Sequence, residues 1–125
     1  MKRHKVLIVD DSPVALEGSA MILEEAGFEV KTLGNPLLIP FAMHQEKPRL
    51  LLVDLNMPTL DGATLVKILG ERDRSRTKVV LYSDSPEELL DKAVRECGAD
   101  GYVRKTANQD ELVKQVCRFV EDELV

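Results

Sequence analysis

No stretch of this chain stays apolar for the roughly 20 residues that a membrane-spanning helix needs. Its basic start, Lys2-Arg3-His4-Lys5, is followed by only four apolar residues before two acids. Neither a span nor a secretory leader is expected, and the expected location is cytoplasmic. Positive charge is scarce as well: 17 basic against 22 acidic residues give a formal net charge of -5 and a pI near 5.1. A nucleic-acid binder normally presents a basic field, so direct contact with nucleic acid is not expected. Cysteine is limited to Cys97 and Cys117, far apart and without a His or Cys at metal-ligand spacing. Both read as small core residues on helices. Internal repeats, low-complexity tracts and linkers are absent. What remains is 125 residues, enough for one hydrophobic core and hardly two, so a single domain over residues 1–125 is expected.

Apolar runs and helical patterns alternate along the chain, which is the signature of an α/β, doubly wound parallel sheet. Lys5 to Asp10 reads as a buried strand, and Ser12-Pro13 opens a helix that stops near Gly27. Phe28 to Thr32 alternates apolar and polar residues, as an edge strand does, before the turn Gly34-Asn35-Pro36. Pro40 interrupts the next helical run, so a short or late-starting helix is expected over Leu37–Lys47. Leu50 to Asp54 is an apolar run ending in a carboxylate, the pattern of a strand covered on both faces. Asp61 suits the N-cap of a third helix running from Gly62 to about Arg72. Arg72, Arg74, Arg76 and Lys78 then read as a solvated basic loop. Val79 to Tyr82 is a fourth strand, Pro86-Glu87-Glu88 opens a helix closing at Gly98, and Gly101 to Arg104 is a short fifth strand. A last helix starts at Asn108 or Asp110 and runs nearly to Val125.

Collecting the strand ends brings out the chemistry. Parallel strands deliver their last residues to one edge of the sheet, where ligands of open α/β sheets bind. Asp10 and Asp11 follow the first strand, Asp54 ends the third, Ser83 the fourth, and Lys105 the fifth. Three acids brought together raise one another's pKa unless a cation joins them. A hard divalent ion such as Mg²⁺ meets that need, taking carboxylate oxygens and water and commonly a phosphate. Lys105 and Ser83 suit the remaining phosphate oxygens, one as a point charge and one as a hydroxyl donor. The edge reads as a metal-assisted phosphoryl acceptor.

Asp10-Asp11, Asp54 with Met57-Pro58 and Asp61-Gly62 behind it, Ser83, and Gly98-Ala99-Asp100-Gly101-Tyr102 leading to Lys105 together resemble the receiver domain of bacterial two-component response regulators. The resemblance covers nearly the whole chain. It implies a flavodoxin-like (βα)5 fold with strand order 2-1-3-4-5, the order for which chemotaxis receivers are a standard example. It further implies that Asp54 takes a phosphoryl group from a sensor histidine kinase or phosphotransfer protein, with Mg²⁺ or Mn²⁺ as cofactor. By the same resemblance Asp11 would ligate the metal directly, Asp10 would hold its water, and Asn56 would offer its main-chain oxygen. Lys105 would pair the phosphate, Ser83 would swing toward it, and Tyr102 would turn inward as an aromatic switch. The altered face, made by the fourth helix, fifth strand and fifth helix, would meet a downstream protein or, through a phosphorylation-linked homodimer, a second copy.

Two departures bear on tempo. Asp84 adds a carboxylate beside Ser83 and Ser85, which would slow an anionic phosphodonor or water's attack on the acyl phosphate, and Thr106 stands where proline usually follows the lysine. No output domain is expected, and the chain reads as a stand-alone receiver. In the last helix Leu112, Val113, Val116, Cys117, Phe119, Val120 and Leu124 span an arc wider than the roughly 100° a packing stripe requires, which reads as a well-buried terminal helix or, alternatively, as one that keeps part of its stripe for a partner or a second copy. A receiver that never takes phosphate, acting only as an interaction module, is the alternative. A phosphatase would want a second acid where Asn56 stands, and a flavin carrier a phosphate-cradling loop where Asp10-Asp11 would repel one.

Overall fold

The computed structural model describes residues 4–57, 60–72, 76–105 and 108–121. Five strands, β1 (Lys5–Val9), β2 (Glu29–Leu33), β3 (Leu50–Asp54), β4 (Lys78–Ser83) and β5 (Gly101–Arg104), form one parallel sheet in the order β2-β1-β3-β4-β5. The helices are α1 (Pro13–Glu25), α2 (Ile39–Glu46), α3 (Gly62–Gly70), α4 (Glu87–Cys97) and α5 (Gln109–Glu121), with a 3-10 turn at Pro36–Leu38. This is the expected doubly wound, flavodoxin-like (βα)5 arrangement.

Successive strand residues point to opposite faces, so each strand feeds two cores. On one face Val6, Ile8, Leu50, Leu52, Val80 and Val103 meet Leu23 of α1 and Leu112, Val116 and Val120 of α5. On the other Leu7, Val9, Leu51, Val53, Val79 and Leu81 meet Ile39 of α2 and Leu65, Ile68 and Leu69 of α3. Central β3 is buried along its whole length, whereas β2 keeps the exposed pattern of an edge. The two cysteines are half-buried on α4 and α5 and pack against these cores.

Local signals set the helix ends. Ser12 Oγ accepts from Ala15 N and Asp61 Oδ1 from Thr64 N, each capping a helix whose first N–H groups lack internal partners. Asn108 caps α5 through Asp110 N and Glu111 N. α4 ends at Gly98 with φ 78, a left-handed conformation that glycine adopts without Cβ strain. Pro40 does not break α2; it sits in the first turn, where the missing N–H has no partner to lose, behind a 3-10 turn capped by Asn35.

One expectation is corrected. Arg72 is not part of a solvated basic loop: its side chain is 1% exposed. α3 ends at Gly70, and the guanidinium folds back to donate to Leu69 O (2.8 Å), Gly98 O (3.3 Å) and Asp100 Oδ2 (3.2 Å). Asp100 Oδ2 also accepts from Val79 N at 2.7 Å, so the pair ties the end of α3 to the turn entering β5. Arg74 lies outside the described residues.

Candidate functional site

Hydrogen bonds between strands carry the backbone past the strand ends into the site. Asp10 N donates to Leu33 O (3.1 Å), Leu55 N to Tyr82 O (3.2 Å), and Lys105 N to Ser83 O (2.8 Å). Four strands therefore set the backbone positions from which the candidate side chains project. Asp10, Asp11 and Asp54 converge, each offering a carboxylate oxygen within 4.8 Å of the others. Asp10 is 2% and Asp54 3% exposed, while Asp11 stands in solvent.

Each buried acid is held by the loop that follows it. Asp10 Oδ1 accepts from Ser12 N and Asp54 Oδ1 from Asn56 N, both at 3.0 Å. The second oxygens face Lys105, whose Nζ lies 3.2 Å from Asp54 Oδ2 and 3.8 Å from Asp10 Oδ2. Burial pushes the Asp10 carboxyl above its ordinary range and the Asp54 charge adds to this, against the pull of the Ser12 N–H and Lys105. Three carboxylates against one ammonium leave two formal negative charges. An all-oxygen, net-anionic set with one member open to water fits a hard divalent ion of the Mg²⁺ class.

Ser83 is fully buried at the same edge, but its hydroxyl is turned to its own loop. It donates to Ser85 Oγ (3.0 Å) and accepts from Ser85 N (3.1 Å). Asp84 between them is exposed. Tyr102 does not join the acids: it is half-buried on β5 against the opposite core, and burial followed by the Asp91 and Glu87 charges raises its hydroxyl pKa. Asn56 is exposed, its N–H fixed on Asp54. Thr106 lies outside the described residues.

Tyr82 is a site neighbour that sequence reasoning passed over. It stands directly across from Asp54 in the β3–β4 register, so both point to one face. Its ring lies 5.3 Å below Lys105 Nζ, within cation–π range, and its hydroxyl is 3.5 Å from Ser19 Oγ. The signal was available in the strand's period of two, because Tyr82 follows Val80 on the Asp54 side.

Comparison with known proteins identifies the family and the fold. The family model described as the response regulator receiver domain matches residues 6–117. The transcriptional regulatory protein AruR of Pseudomonas aeruginosa is 36% identical over 121 residues, covering 93% of this chain and 49% of its own. The DNA-binding response regulator MtrA of Mycolicibacterium smegmatis is 30% identical, with 91% and 49% covered. The chain thus spans about half the length of these curated relatives. Among solved structures, the Vibrio cholerae chemotaxis protein CheY4 superposes with a TM-score of 0.83 at 22% identity, over 94% of this chain and 99% of its own. A signal receiver domain from Bermanella marisrubri gives 0.81 at 25%, over 95% and 99%.

Proposed function

Because this chain belongs to the response regulator receiver domain family, a family of phosphoacceptor signalling domains, we propose that Asp54 is its phosphoacceptor. The observation that carries this is the convergence of Asp10, Asp11 and Asp54 with Lys105 Nζ 3.2 Å from Asp54 Oδ2. A carboxylate oxygen of Asp54 attacks the phosphorus of a phosphohistidine on a sensor kinase or phosphotransfer protein. The P–N bond breaks, the histidine nitrogen takes up a proton, and an acyl phosphate forms.

Asp11, Asp54 and the Asn56 main-chain oxygen would hold Mg²⁺ or Mn²⁺, with Asp10 holding its water, and the bound ion would supply positive charge against the phosphoryl oxygens. Lys105, whose Nζ lies over the Tyr82 ring, releases Asp54 Oδ2 and pairs the phosphoryl group instead. Ser83 exchanges its bond to Ser85 for one to a phosphoryl oxygen, and Tyr102 moves into the space behind it. Asp84, exposed beside this path, and Thr106, after the lysine, tune the rate.

The response leaves through α4, β5 and α5. A hollow of about 470 Å³ on that face is lined by Glu87, Tyr102, Glu111 and Arg118 and also by Lys105, so one residue touches both the acid site and the outer surface. The apolar arc of α5 is mostly spent inward: Leu112, Val116 and Val120 are buried, while Val113, Cys117 and Phe119 pack on the same core. Leu124 lies outside the described residues. A downstream protein, or a second copy in a phosphorylation-linked homodimer, would therefore meet mainly polar groups here.

Intact-mass measurement after acetyl phosphate and Mg²⁺ tests the assignment. One phosphoryl group should be gained by the parent chain and none by Asp54→Asn. Labelling that persists in the variant overturns it, and no response to Mg²⁺ or beryllofluoride would favour a phosphate-independent interaction module.

A further inference from the structure

At the opposite end of the sheet, where β3 and β4 begin, the short α2 leaves a gap beside α3. Pro40, Met43, His44 and Lys47, at helical spacings of three and four, face the last turn of α3 across a cleft of about 350 Å³. That volume is within the roughly 300–1,000 Å³ of small-molecule sites. Met43 and Ile68 give the cleft apolar surface, and His44, Lys47 and Arg76 bring three exposed basic side chains to it.

Those three groups stand out in a chain of net charge -5. Lys5, Arg72, Lys92 and Lys105 all pair with acids, but His44, Lys47 and Arg76 make no side-chain ion pair among the described residues. Among the described residues Glu71, on the α3 side, is the one acid lining the cleft, and it offsets only part of their charge. The far wall is pinned: Thr77 Oγ1 donates to Pro48 O at 2.6 Å and Arg49 Nη1 to Arg76 O at 3.2 Å. Lys47 is also the only non-glycine residue with positive φ among those described, at φ 49 and ψ 56. Glycine would take that conformation without strain, so a lysine there keeps a cation at the cleft against the backbone's preference.

We propose that this cleft is a second ligand site, for a small organic phosphate. Its apolar body lies on Met43 and Ile68, and its phosphate meets Lys47, Arg76 and His44. A phosphate dianion matches the set better than a single carboxylate does, because a guanidinium fork and an ammonium together supply charge and several donors to its oxygens.

The site is remote from Asp54 and needs neither Mg²⁺ nor phosphorylation, so it can be tested separately from the phosphoacceptor reading. Phenyl phosphate is the probe, titrated without Mg²⁺ into the ¹⁵N-labelled chain and into its Asp54→Asn variant. Saturable shifts centred on the amides of Met43, His44, Lys47, Ile68 and Arg76 are expected in both. Inorganic phosphate and phenol should each bind about tenfold more weakly or worse. Lys47→Glu with Arg76→Glu should lower affinity about tenfold while the spectrum stays dispersed. Lys47→Gly should raise Tm yet weaken binding, a split that a purely structural lysine would not produce. Shifts confined to the Lys105 end, non-saturating shifts, equal binding of inorganic phosphate, or charge-reversal and glycine variants that bind as well as the parent would overturn the proposal.

Discussion

A carboxylate that accepts a backbone N–H and faces an ammonium is ordinarily easy to ionise, yet at Asp10 burial and the Asp54 charge outweigh both aids. The folded group titrates above its unfolded value. Its contribution to stability is therefore complete below the ordinary carboxylate range and is lost as pH rises through the raised folded value. Above that value, without metal, the ionised Asp10 is a net cost. Asp10→Asn keeps an acceptor for Ser12 N and removes the charge, so it should stabilise the metal-free chain at pH 7 by about 1 kcal/mol. The gain should vanish in acid. Thermal melts at both pH values check the sign, and a variant less stable than the parent at pH 7 would refute it. The acids and Lys105 were legible in the sequence because strand ends are readable from apolar runs. The Ser83–Ser85 bond was not, since a hydroxyl's partner depends on the loop's path and not on residue type.

At the scale of elements, α5 and β5 meet through an absence. A Cβ built on Gly101 would lie 2.6 Å from Cε1 and Cζ of Phe119, so the ring of α5 occupies the space a side chain would need. Gly101→Ala should cost about 1–3 kcal/mol as an overpacked contact and displace α5 from β5, on the face proposed to carry the output. Urea unfolding should show a lower midpoint with an unchanged slope; an unchanged midpoint would mean that the ring swings aside freely. Helix caps, strand runs and the Gly98 stop were legible because each acts within a few residues. Arg72 was not: besides Leu69 O its partners are Gly98 and Asp100, more than twenty residues away, and residue type alone does not separate a folded-back arginine from a solvated one. Pro40 was legible too: the short, late-starting helix it announced is α2, Ile39–Glu46, with the proline in its first turn.

For the whole molecule, like charge gathered at one end of the sheet is repulsion held in place by two cores. An ion that binds only the folded chain draws the equilibrium toward it by mass action. Mg²⁺ at 100 times its dissociation constant should add about 2.7 kcal/mol, read as a concentration-dependent rise in Tm that Asp11→Ala reduces sharply. A rise left intact in that variant would place the ion elsewhere.

The hydrogen-bond ladder that runs past the strand ends has a further consequence. Asp54, Tyr82 and Lys105 owe their positions to strand register, and slipping β3 by one residue would turn Asp54 to the other core and present Val53 or Leu55 in its place. Parallel sheets assemble late, because their strands must find partners far along the chain. A misaligned intermediate would be blind to an ion that the aligned sheet is proposed to hold. Divalent metal would then act as a proofreader during refolding, rewarding only the chain whose strands have come to rest in step.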